Sequence, residues 1–388
     1  MRRSNGEGSI SYNESRKRYE YKITYKNENG DSKRKLFTST KTAKEAKAKA
    51  KAFLETLEDK ADVEATMTLG AWLVKWLNEY QLNSIKIKTY ERYQSLIDKN
   101  ILPYVIAKVS LQKLSSVELQ RHFNALLING GMNQQGLAPR SINATRRLLI
   151  AALNIAIDSG IIAKNPADKT KALKTDPPEI HVLSHEEGHK LINTALRYGR
   201  PAWLVIVLAL GTGMRISEIY GMEWDNVDLA GKQLRVDKIV VTTAKGIHIQ
   251  NSAKTRSSRR TIPIPDFVCA ALKRYRLWQK VQDLRHGSNY QQYNWVLANA
   301  EGQPRSPNSF SAHQYKEILK EAGLSRSVRI HDLRHTHATW LLEAGINVKV
   351  VSERLGHSSC RITLDTYSHV MRTMQEQAVE ALNGIMQE

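Results

Sequence analysis

The stretch HDLRHTHATWLLEAGINVKVVSERLGHSSCRITLDTY, residues 331–367, decides the local fold that would bring the candidate functional residues together. His331 and Arg334 are three residues apart, so that a helix would place both on one side. Gly345 is positioned to end that helix, and Asn347 is positioned to begin the next one. The stretch therefore predicts a helix that carries two basic groups, followed by a second helix.

A further glycine, Gly356, would end the second helix and leave His357 at its terminus. A short third helix would then return Tyr367 towards His331 and Arg334. One arginine, two imidazoles and one hydroxyl, with no carboxylate pair nearby, suit a phosphate better than a metal ion or an acyl group. Single histidines and tyrosines are common in ordinary helices, so the combination and its order carry this prediction.

Composition points to a nucleic-acid partner. The chain has 388 residues, enough for two or three domains, and its 58 Lys and Arg against 38 Asp and Glu give a net charge of +20. The longest apolar run, around residues 202–210, is about half of the ~20 residues that span a membrane. The N-terminus lacks the apolar segment of a secretory signal, and two distant cysteines predict neither a disulfide framework nor a zinc site. We expect no membrane partner.

In this order and spacing, the residues of the opening stretch resemble the signature of the tyrosine recombinases, the phage-integrase family. That signature is a helix with His-x-x-Arg, then Leu-Gly-His, then a tyrosine nucleophile. The segment GTGMRISEIYGMEWDNVD, residues 211–228, is similar to the family's first arginine motif and adds Arg215. Glu218 resembles the acidic residue that orients the arginines in the family without transferring a proton.

The segment AKTRSSRR, residues 253–260, fits the family's lysine motif in a turn between strands. We assign the active-site lysine to Lys254 and keep Lys245, in the preceding turn, as the alternative. A simpler reading is that this basic turn only contacts the DNA backbone. The surrounding pattern predicts three strands, at residues 233–243, 246–252 and 260–265.

The resemblance implies DNA strand transfer through a 3′-phosphotyrosyl intermediate. Tyr367 would attack the scissile phosphodiester, while Arg215 and Arg334 would stabilise the charge on its non-bridging oxygens. The complete catalytic set that the resemblance implies is Arg215, Lys254, His331, Arg334, His357 and Tyr367.

Proton transfers are assigned to the other members of that set. His331 would accept or orient the tyrosine proton, and His357 would donate to a phosphate oxygen. Lys254 would protonate the leaving 5′ oxygen, its pKa lowered by burial and neighbouring positive charge. Neither a metal nor any other cofactor is expected, because arginines replace the metal and the phosphotyrosine conserves the bond energy.

Followed from its N-terminus to its C-terminus, the sequence predicts a multidomain fold. Residues 1–60 read as a small α+β domain, a three-stranded sheet plus a helix, with alternation over residues 19–25 and an Asn-Gly turn at 29–30. Residues 66–168 read as an all-α bundle, and residues 180–388 as a mostly-α catalytic domain with a small β-sheet.

The resemblance assigns arm-site binding to the first domain and core-site binding to the second. The alternative for the first domain is a charged, solvated appendage. Basic residues expected at the DNA interfaces are Lys22, Lys33, Arg34, Lys35, Lys86, Lys88, Arg140, Arg146, Arg147, Arg256, Arg259 and Arg260.

The C-terminal segment predicts a further helix after the nucleophile, with apolar positions Met371, Met374, Ala378, Leu382 and Ile385. This helix would either pack on its own domain or, as the resemblance implies, dock on a neighbouring protomer of a DNA-bound homotetramer. Further partners implied are a DNA-bending host factor and an excisionase. The expected location is the cytoplasm of a bacterial host, at the nucleoid.

Together these features predict a site-specific recombinase, the integrase of a mobile genetic element. A chromosome-dimer recombinase or a resolvase shares the catalytic motifs but usually lacks an N-terminal sheet. A type IB topoisomerase has much the same site, and an inactive DNA-binding regulator is the alternative outside enzymes.

Overall fold

The computed structural model describes residues 8–26, 32–65, 67–131, 133–176, 179–251, 260–286, 294–367, 379, 382–383 and 385–386. The chain divides into two compact units, Met1–Asp176 and Pro177–Glu388. Across the described part of the chain, no helix has the length and apolar character needed to cross a membrane.

The first described segment is an antiparallel three-stranded sheet followed by a helix, as predicted. Its elements are β1 (Ser9–Asn13), β2 (Arg18–Lys26), β3 (Ser32–Ser39) and α1 (Ala43–Ala65). The Thr42 hydroxyl accepts from the Glu45 backbone N–H at 3.2 Å and so caps α1. Ile23 of β2 and Ala46 and Ala50 of α1 are buried, so that the helix covers one face of the sheet.

The rest of the first unit is a helical bundle, also as predicted. Its helices are α2 (Leu69–Lys75), which continues as a π-helical turn (Trp76–Gln81), α3 (Ile87–Asn100), a 3-10 turn (Val105–Lys108), α4 (Ser116–Asn129) and α5 (Pro139–Asp158). Trp72 and Trp76 are fully buried in its core, and the Trp72 indole N–H donates to the Ala152 carbonyl at 3.0 Å. Ser115 and Glu118 form the capping box that their spacing predicts.

The second unit is mainly helical. Its first part contains α6 (His185–Arg197), α7 (Arg200–Thr212), α8 (Ile216–Tyr220) and a 3-10 turn (Trp224–Asn226). Its later part contains α9 (Asp266–His286), α10 (Pro307–Ser309), a π-helical turn (Phe310–Gln314), α11 (Tyr315–Glu321), α12 (Asp332–Glu343) and α13 (Val348–Leu355). Residues 202–212 of α7 are buried throughout, which makes this apolar helix the centre of the core.

The strands of this unit correct one prediction. They are β4 (Val227–Asp228), β5 (Gln233–Val236), β6 (Lys238–Thr243), β7 (Gly246–Asn251) and β8 (Arg260–Pro263). The single strand predicted at 233–243 is wrong, because Asp237 separates two strands, β5 and β6. In the described residues β5 belongs to a sheet of order β4-β5-β8, and β6 pairs with β7. The Asp237 carboxylate accepts from the Arg235 Nε–H at 2.7 Å, and aspartate is disfavoured in strands.

The opening stretch folds as three successive helices, as predicted. Gly345 and Gly356 follow α12 and α13 with φ of +76° and +66°, the left-handed conformation of helix-ending glycines. The Asn347 side chain caps α13 by accepting from the Lys349 N–H at 2.8 Å. Residues 360–367 form helix α14. Met371, Met374 and Ala378 of the predicted tail lie outside the described residues, whereas Leu382 and Ile385 are helical and exposed.

Candidate active site

Arg334 lies at the centre of the site, on the first turn of α12. Its guanidinium donates from Nη1 to the Gly213 carbonyl at 2.8 Å and from Nη2 to the Leu355 carbonyl at 2.6 Å. Both carbonyls lie at helix C-termini, of α7 and α13, where the helix dipole favours positive charge. Burial, together with the neighbouring Arg215, lowers the pKa of Arg334 to about 9, so the group stays protonated at neutral pH.

Arg215 precedes α8 and is held by Glu218. The Arg215 Nη1 donates to Glu218 Oε1 at 2.8 Å, and its backbone N–H donates to Oε2 at 2.9 Å. Its Nη2 lies 3.5 Å from the Gly356 carbonyl, beside the helix end that Arg334 contacts. Glu218 thus contacts Arg215 directly, and its role in orienting the arginines stays a prediction.

Arg260 is a second partner of Glu218. Its Nη1 and Nη2 donate to the two carboxylate oxygens at 3.1 and 2.8 Å, and its Nε donates to the Arg354 carbonyl at 2.8 Å. Burial alone would raise the pKa of Glu218, but hydrogen bonds and charge from Arg260, with the charge of Arg215, lower it to about 2. Arg260 was predicted to contact DNA, but its side chain is only 8% exposed and pairs with Glu218 inside the site.

Tyr367 reaches the site from α14. Its ring packs in a small apolar cluster with Ala338, Leu342, Val351 and Leu355. Its hydroxyl lies 2.8 Å from Nδ1 of His335, a residue that the sequence analysis did not select. Burial raises the pKa of Tyr367 to about 12, although the nearby charge of Arg334 opposes the rise.

The two predicted histidines border the same group of charges. The ring of His331 lies edge-on to that of His335, with centroids 5.0 Å apart. His357 is fixed by a 2.8 Å hydrogen bond between its Nδ1 and the Thr363 hydroxyl. Desolvation in the site and neighbouring positive charge lower the pKa of both His331 and His357 to about 4, although His331 is exposed at one edge, so both imidazoles are neutral at pH 7.

A buried histidine links the helices that carry these groups. His337 is oriented by a 2.7 Å contact between its Nδ1 and the Leu210 carbonyl, and its Nε2 accepts from Nε of Arg354 at 3.0 Å. Nδ1 therefore carries the proton, since a carbonyl only accepts. Arg354 also donates to the Gly211 carbonyl at 3.2 Å, so α7, α12 and α13 are tied together behind the arginines.

Several predicted residues are placed elsewhere or not described. Lys254, Arg256 and Arg259 lie outside the described residues, so their roles stay predictions. Lys245, the alternative lysine, is exposed in the tight turn between β6 and β7. Across the described ranges, no group of three or more His, Cys, Asp and Glu side chains is arranged to hold a metal ion.

The basic residues of the first unit fall into different settings. Lys22, Lys33, Arg34, Lys35, Lys86, Lys88, Arg140 and Arg147 are exposed. Lys35 also stacks on Phe53 of α1, with Nζ 3.7 Å from the ring centroid. Arg146 is half-buried and donates to the Thr170 carbonyl at 2.8 Å, so it holds the segment that follows the bundle.

The sequence contains a signal that could have identified His335. His335 lies four residues after His331 and therefore on the same side of a helix. Nothing local to the sequence pairs Arg260 with Glu218, because the two are 42 positions apart.

Comparisons with known proteins agree with this geometry. Residues 181–374 match the model of the phage integrase family, and residues 68–127 match a phage integrase N-terminal SAM-like domain. A XerC-like tyrosine recombinase of Caldanaerobacter subterraneus is 33% identical over 82% of this chain and 83% of its own length. Among solved structures, the Tn1549 transposon integrase in complex with transposon right end DNA is similar with a TM-score of 0.67 and 22% identity, over 80% of this chain and 99% of that one.

A lambda integrase tetramer bound to a Holliday junction is also similar, with a TM-score of 0.56 and 20% identity, over 90% of this chain and 95% of that one. These two structures agree in fold. The extent of the family match and the identity to the XerC-like relative assign the family. The chain therefore belongs to the phage integrase family of tyrosine recombinases, the enzymes that cut and rejoin DNA.

Proposed function

We propose that this chain is the integrase of a mobile genetic element, which integrates and excises DNA through a 3′-phosphotyrosine at Tyr367. The observation that carries the proposal is the convergence of α12, α13 and α14. These helices bring the Tyr367 hydroxyl, the forked donors of Arg334 and the imidazole of His357 around the helix end that Arg215 also approaches. A phenol beside fixed guanidiniums suits attack on a phosphodiester.

The arginines act on the charge that develops during attack. Guanidinium is always charged near neutral pH and presents its donors in a fixed plane, so a phosphate arriving beside Arg215 and Arg334 meets oriented hydrogen bonds. Because Glu218 and helix-end carbonyls already hold these groups, little reorganisation is needed when the transition state forms. Loss of one such group should cost roughly 10²- to 10³-fold in rate.

Proton transfer to the leaving group completes the cycle. The 5′ oxygen departs as an alcohol and needs a proton, which we assign to Lys254. His357, neutral and held by Thr363, donates from its free Nε2 to a phosphate oxygen. Rejoining follows when the 5′ hydroxyl of a partner duplex attacks the phosphotyrosine, so the bond energy is conserved without ATP.

Three DNA-contacting domains fit this activity, with boundaries at residues 1–60, 66–168 and 180–388. The first would bind arm sites and the second the core site. The solved relatives in complex with transposon-end DNA and, as a tetramer, with a Holliday junction support double-stranded DNA and a homotetramer as partners. A DNA-bending host factor and an excisionase would set direction. The site of action would be the nucleoid in the cytoplasm of a bacterial host.

A chromosome-dimer recombinase is the second candidate, because the 33% identical relative is XerC-like. The sheet of β1, β2 and β3 favours an integrase, since a separate basic sheet could bind a second DNA site. Removing residues 1–60 separates the two. An integrase should lose recombination on long attachment sites and keep cleavage of a core site, whereas a chromosome-dimer recombinase should keep both.

The chemistry can be tested with a nicked suicide substrate. After cleavage the released strand diffuses away, so the covalent complex cannot be religated and accumulates. The wild-type chain should become attached through Tyr367, as located by peptide mapping. Tyr367→Phe should bind DNA with similar affinity and form no adduct, which would also set aside an inactive regulator. Relaxation of supercoiled plasmid by a monomer, without exchange between duplexes, would favour a type IB topoisomerase. Capture by the phenylalanine variant would show that the nucleophile is misassigned.

A further inference from the structure

The hydroxyl of Tyr367 has a specific neighbour in the free protein. Its oxygen lies 2.8 Å from His335 Nδ1, and the two rings are 5.7 Å apart between centroids. Tyr367 is 1% exposed and His335 is half-buried, so the contact lies largely out of solvent. A hydrogen bond of this length gives the phenolic proton a direct acceptor.

The chemistry of the two groups decides which one donates. Burial keeps the phenol protonated, since the pKa of Tyr367 is raised to about 12. Burial also lowers the pKa of His335, which favours the neutral imidazole. A neutral imidazole carries one N–H, so a phenol that donates to Nδ1 requires the proton of His335 to lie on Nε2.

We propose that His335, and not His331, accepts the phenolic proton when Tyr367 attacks the DNA phosphate. In this step, which rests on the function proposed above, the Tyr367 oxygen forms a bond to phosphorus and the bond from phosphorus to the 5′ oxygen breaks. The phenolic proton moves to His335 Nδ1, and the leaving oxygen takes a proton from the general acid assigned to Lys254. On rejoining, the imidazolium returns its proton to the departing phenol.

The position of His331 explains this division. Its ring meets that of His335 edge-on, with centroids 5.0 Å apart, whereas His335 Nδ1 is within hydrogen-bonding distance of the Tyr367 oxygen. A general base must reach the proton that it removes, either directly or through one water. His331 therefore borders the base and is left to orient the phosphate or the His335 ring.

Charged neighbours set the pH at which His335 can act. Burial is the largest effect, and it lowers the pKa of His335. The carboxylate of Asp332 opposes this decrease, whereas the guanidiniums of Arg334 and Arg329 lower the pKa further. The titratable and charged groups that face His335 are Asp332, Arg334, Arg329, His331, His357 and Tyr367. The neutral form is the one that accepts a proton, so the cleavage rate should rise with pH through a value below 6.5.

The test measures covalent capture of a nicked substrate with a 5′-bridging phosphorothiolate. A thiolate leaving group needs no general acid, so the rate reports deprotonation of the nucleophile and not the role of Lys254. His335→Asn is the decisive variant, because its amide oxygen can accept from Tyr367 near the position of Nδ1 but cannot take up a proton. His331→Asn is the matched comparison, and His313→Asn, at an exposed position outside the site, controls for histidine replacement.

His335→Asn should lower the capture rate by roughly 10²- to 10⁴-fold at pH 7 and abolish its rise between pH 5 and 7, with unchanged DNA affinity and thermal unfolding. His331→Asn should be slower than wild type yet keep that rise. Capture by His335→Asn at the wild-type rate, or loss of the pH dependence in His331→Asn alone, would overturn the proposal. Wild-type capture in the same experiment separates this failure from failure of the proposed function, for which no adduct would form at all.

Discussion

At the scale of single residues, Glu218 supports two of the guanidiniums in the site. It is almost fully buried and accepts from Arg215 and from both terminal nitrogens of Arg260. A buried carboxylate is tolerated only when such partners compensate its desolvation. Glu218 therefore contributes both to the geometry of the site and to the stability of the fold.

This gives a prediction for pH and stability. The pKa of Glu218 falls from 4.5 to about 2 on folding, which corresponds to roughly 3 kcal/mol of stability. Because the folded pKa is depressed, that contribution is complete above pH 4.5 and is lost as the pH falls towards 2. Glu218→Gln should therefore lower the free energy of unfolding by about 3 kcal/mol at pH 7 and by roughly half as much at pH 3, as measured by urea unfolding.

A control for this prediction is Glu317→Gln. Glu317 pairs with Arg326 on the surface, where both side chains are more than half exposed. Exposed pairs contribute about 0–1 kcal/mol, so this variant should change little at either pH. Equal losses in the two variants would mean that burial of Glu218 has no special energetic role.

At the scale of elements, the N-terminal sheet has two chemically different faces. Cross-strand pairs share a face, so Lys22 opposite Leu36 and Thr24 opposite Arg34 lie on one side. Ile23 opposite Lys35 lies on the other side, which α1 covers. The basic residues predicted for DNA contact are therefore not equivalent: the uncovered face presents Lys22 and Arg34, while Lys35 packs on Phe53.

We expect Lys22→Ala and Arg34→Ala each to weaken binding to arm-site DNA and to reduce its salt dependence. Removing a single ion pair with a phosphate should lower the slope of log affinity against log salt by about one unit. Lys35→Ala should leave that slope unchanged, because its ammonium is engaged with an aromatic ring. Titrations at several salt concentrations measure this, and a slope change in Lys35→Ala equal to that in Arg34→Ala would contradict it.

At the scale of the whole molecule, four apolar residues of the described C-terminal part are exposed. Val379, Leu382, Ile385 and Met386 are each more than half exposed. The catalytic unit also contains an apolar groove of about 870 Å³, whose lining includes Trp203, Phe267, Trp340 and Leu341. If the chain assembles as proposed above, we expect the apolar tail of one protomer to dock in the apolar groove of the next.

Deleting residues 378–388 should therefore impair synapsis more than DNA binding. Recombination between two duplexes should fall steeply, while binding and covalent capture on a single site should stay within a few-fold of wild type. Phe267→Asp, at a half-exposed position of the groove, should reproduce the defect from the receiving side. Gel-shift and recombination assays compare the three proteins, and equal recombination by the truncated chain would count against docking of the tail.

The parts of the fold that were predictable from sequence rest on contacts between near neighbours. The capping boxes of Ser115 with Glu118 and Ser184 with Glu187 span three residues, and both are present. The glycines after α12 and α13 end helices by their own backbone conformation. The order of Arg334, His357 and Tyr367 indicates a phosphate-directed site in a different way, through its resemblance to the family signature.

The long strand predicted at 233–243 was wrong because its break is decided by partners elsewhere in the chain. Alternating apolar residues predict an extended chain, but β5 pairs with β8 while β6 pairs with β7. Such pairing depends on which edges are available after the core has formed, and no window of local sequence contains that information.

The sequence by itself determined the family, the order of the helices and most of the chemical groups of the site, because residue types and the order of the motifs carry that information. Only the tertiary structure decided that His335 faces the Tyr367 hydroxyl and that Arg260 supports Glu218. These contacts join residues 32 and 42 positions apart, and they exist because the small apolar cluster around Tyr367 and the main core fix the distances between separate elements. Packing of distant helices, which no local periodicity encodes, selected the partner of the nucleophile.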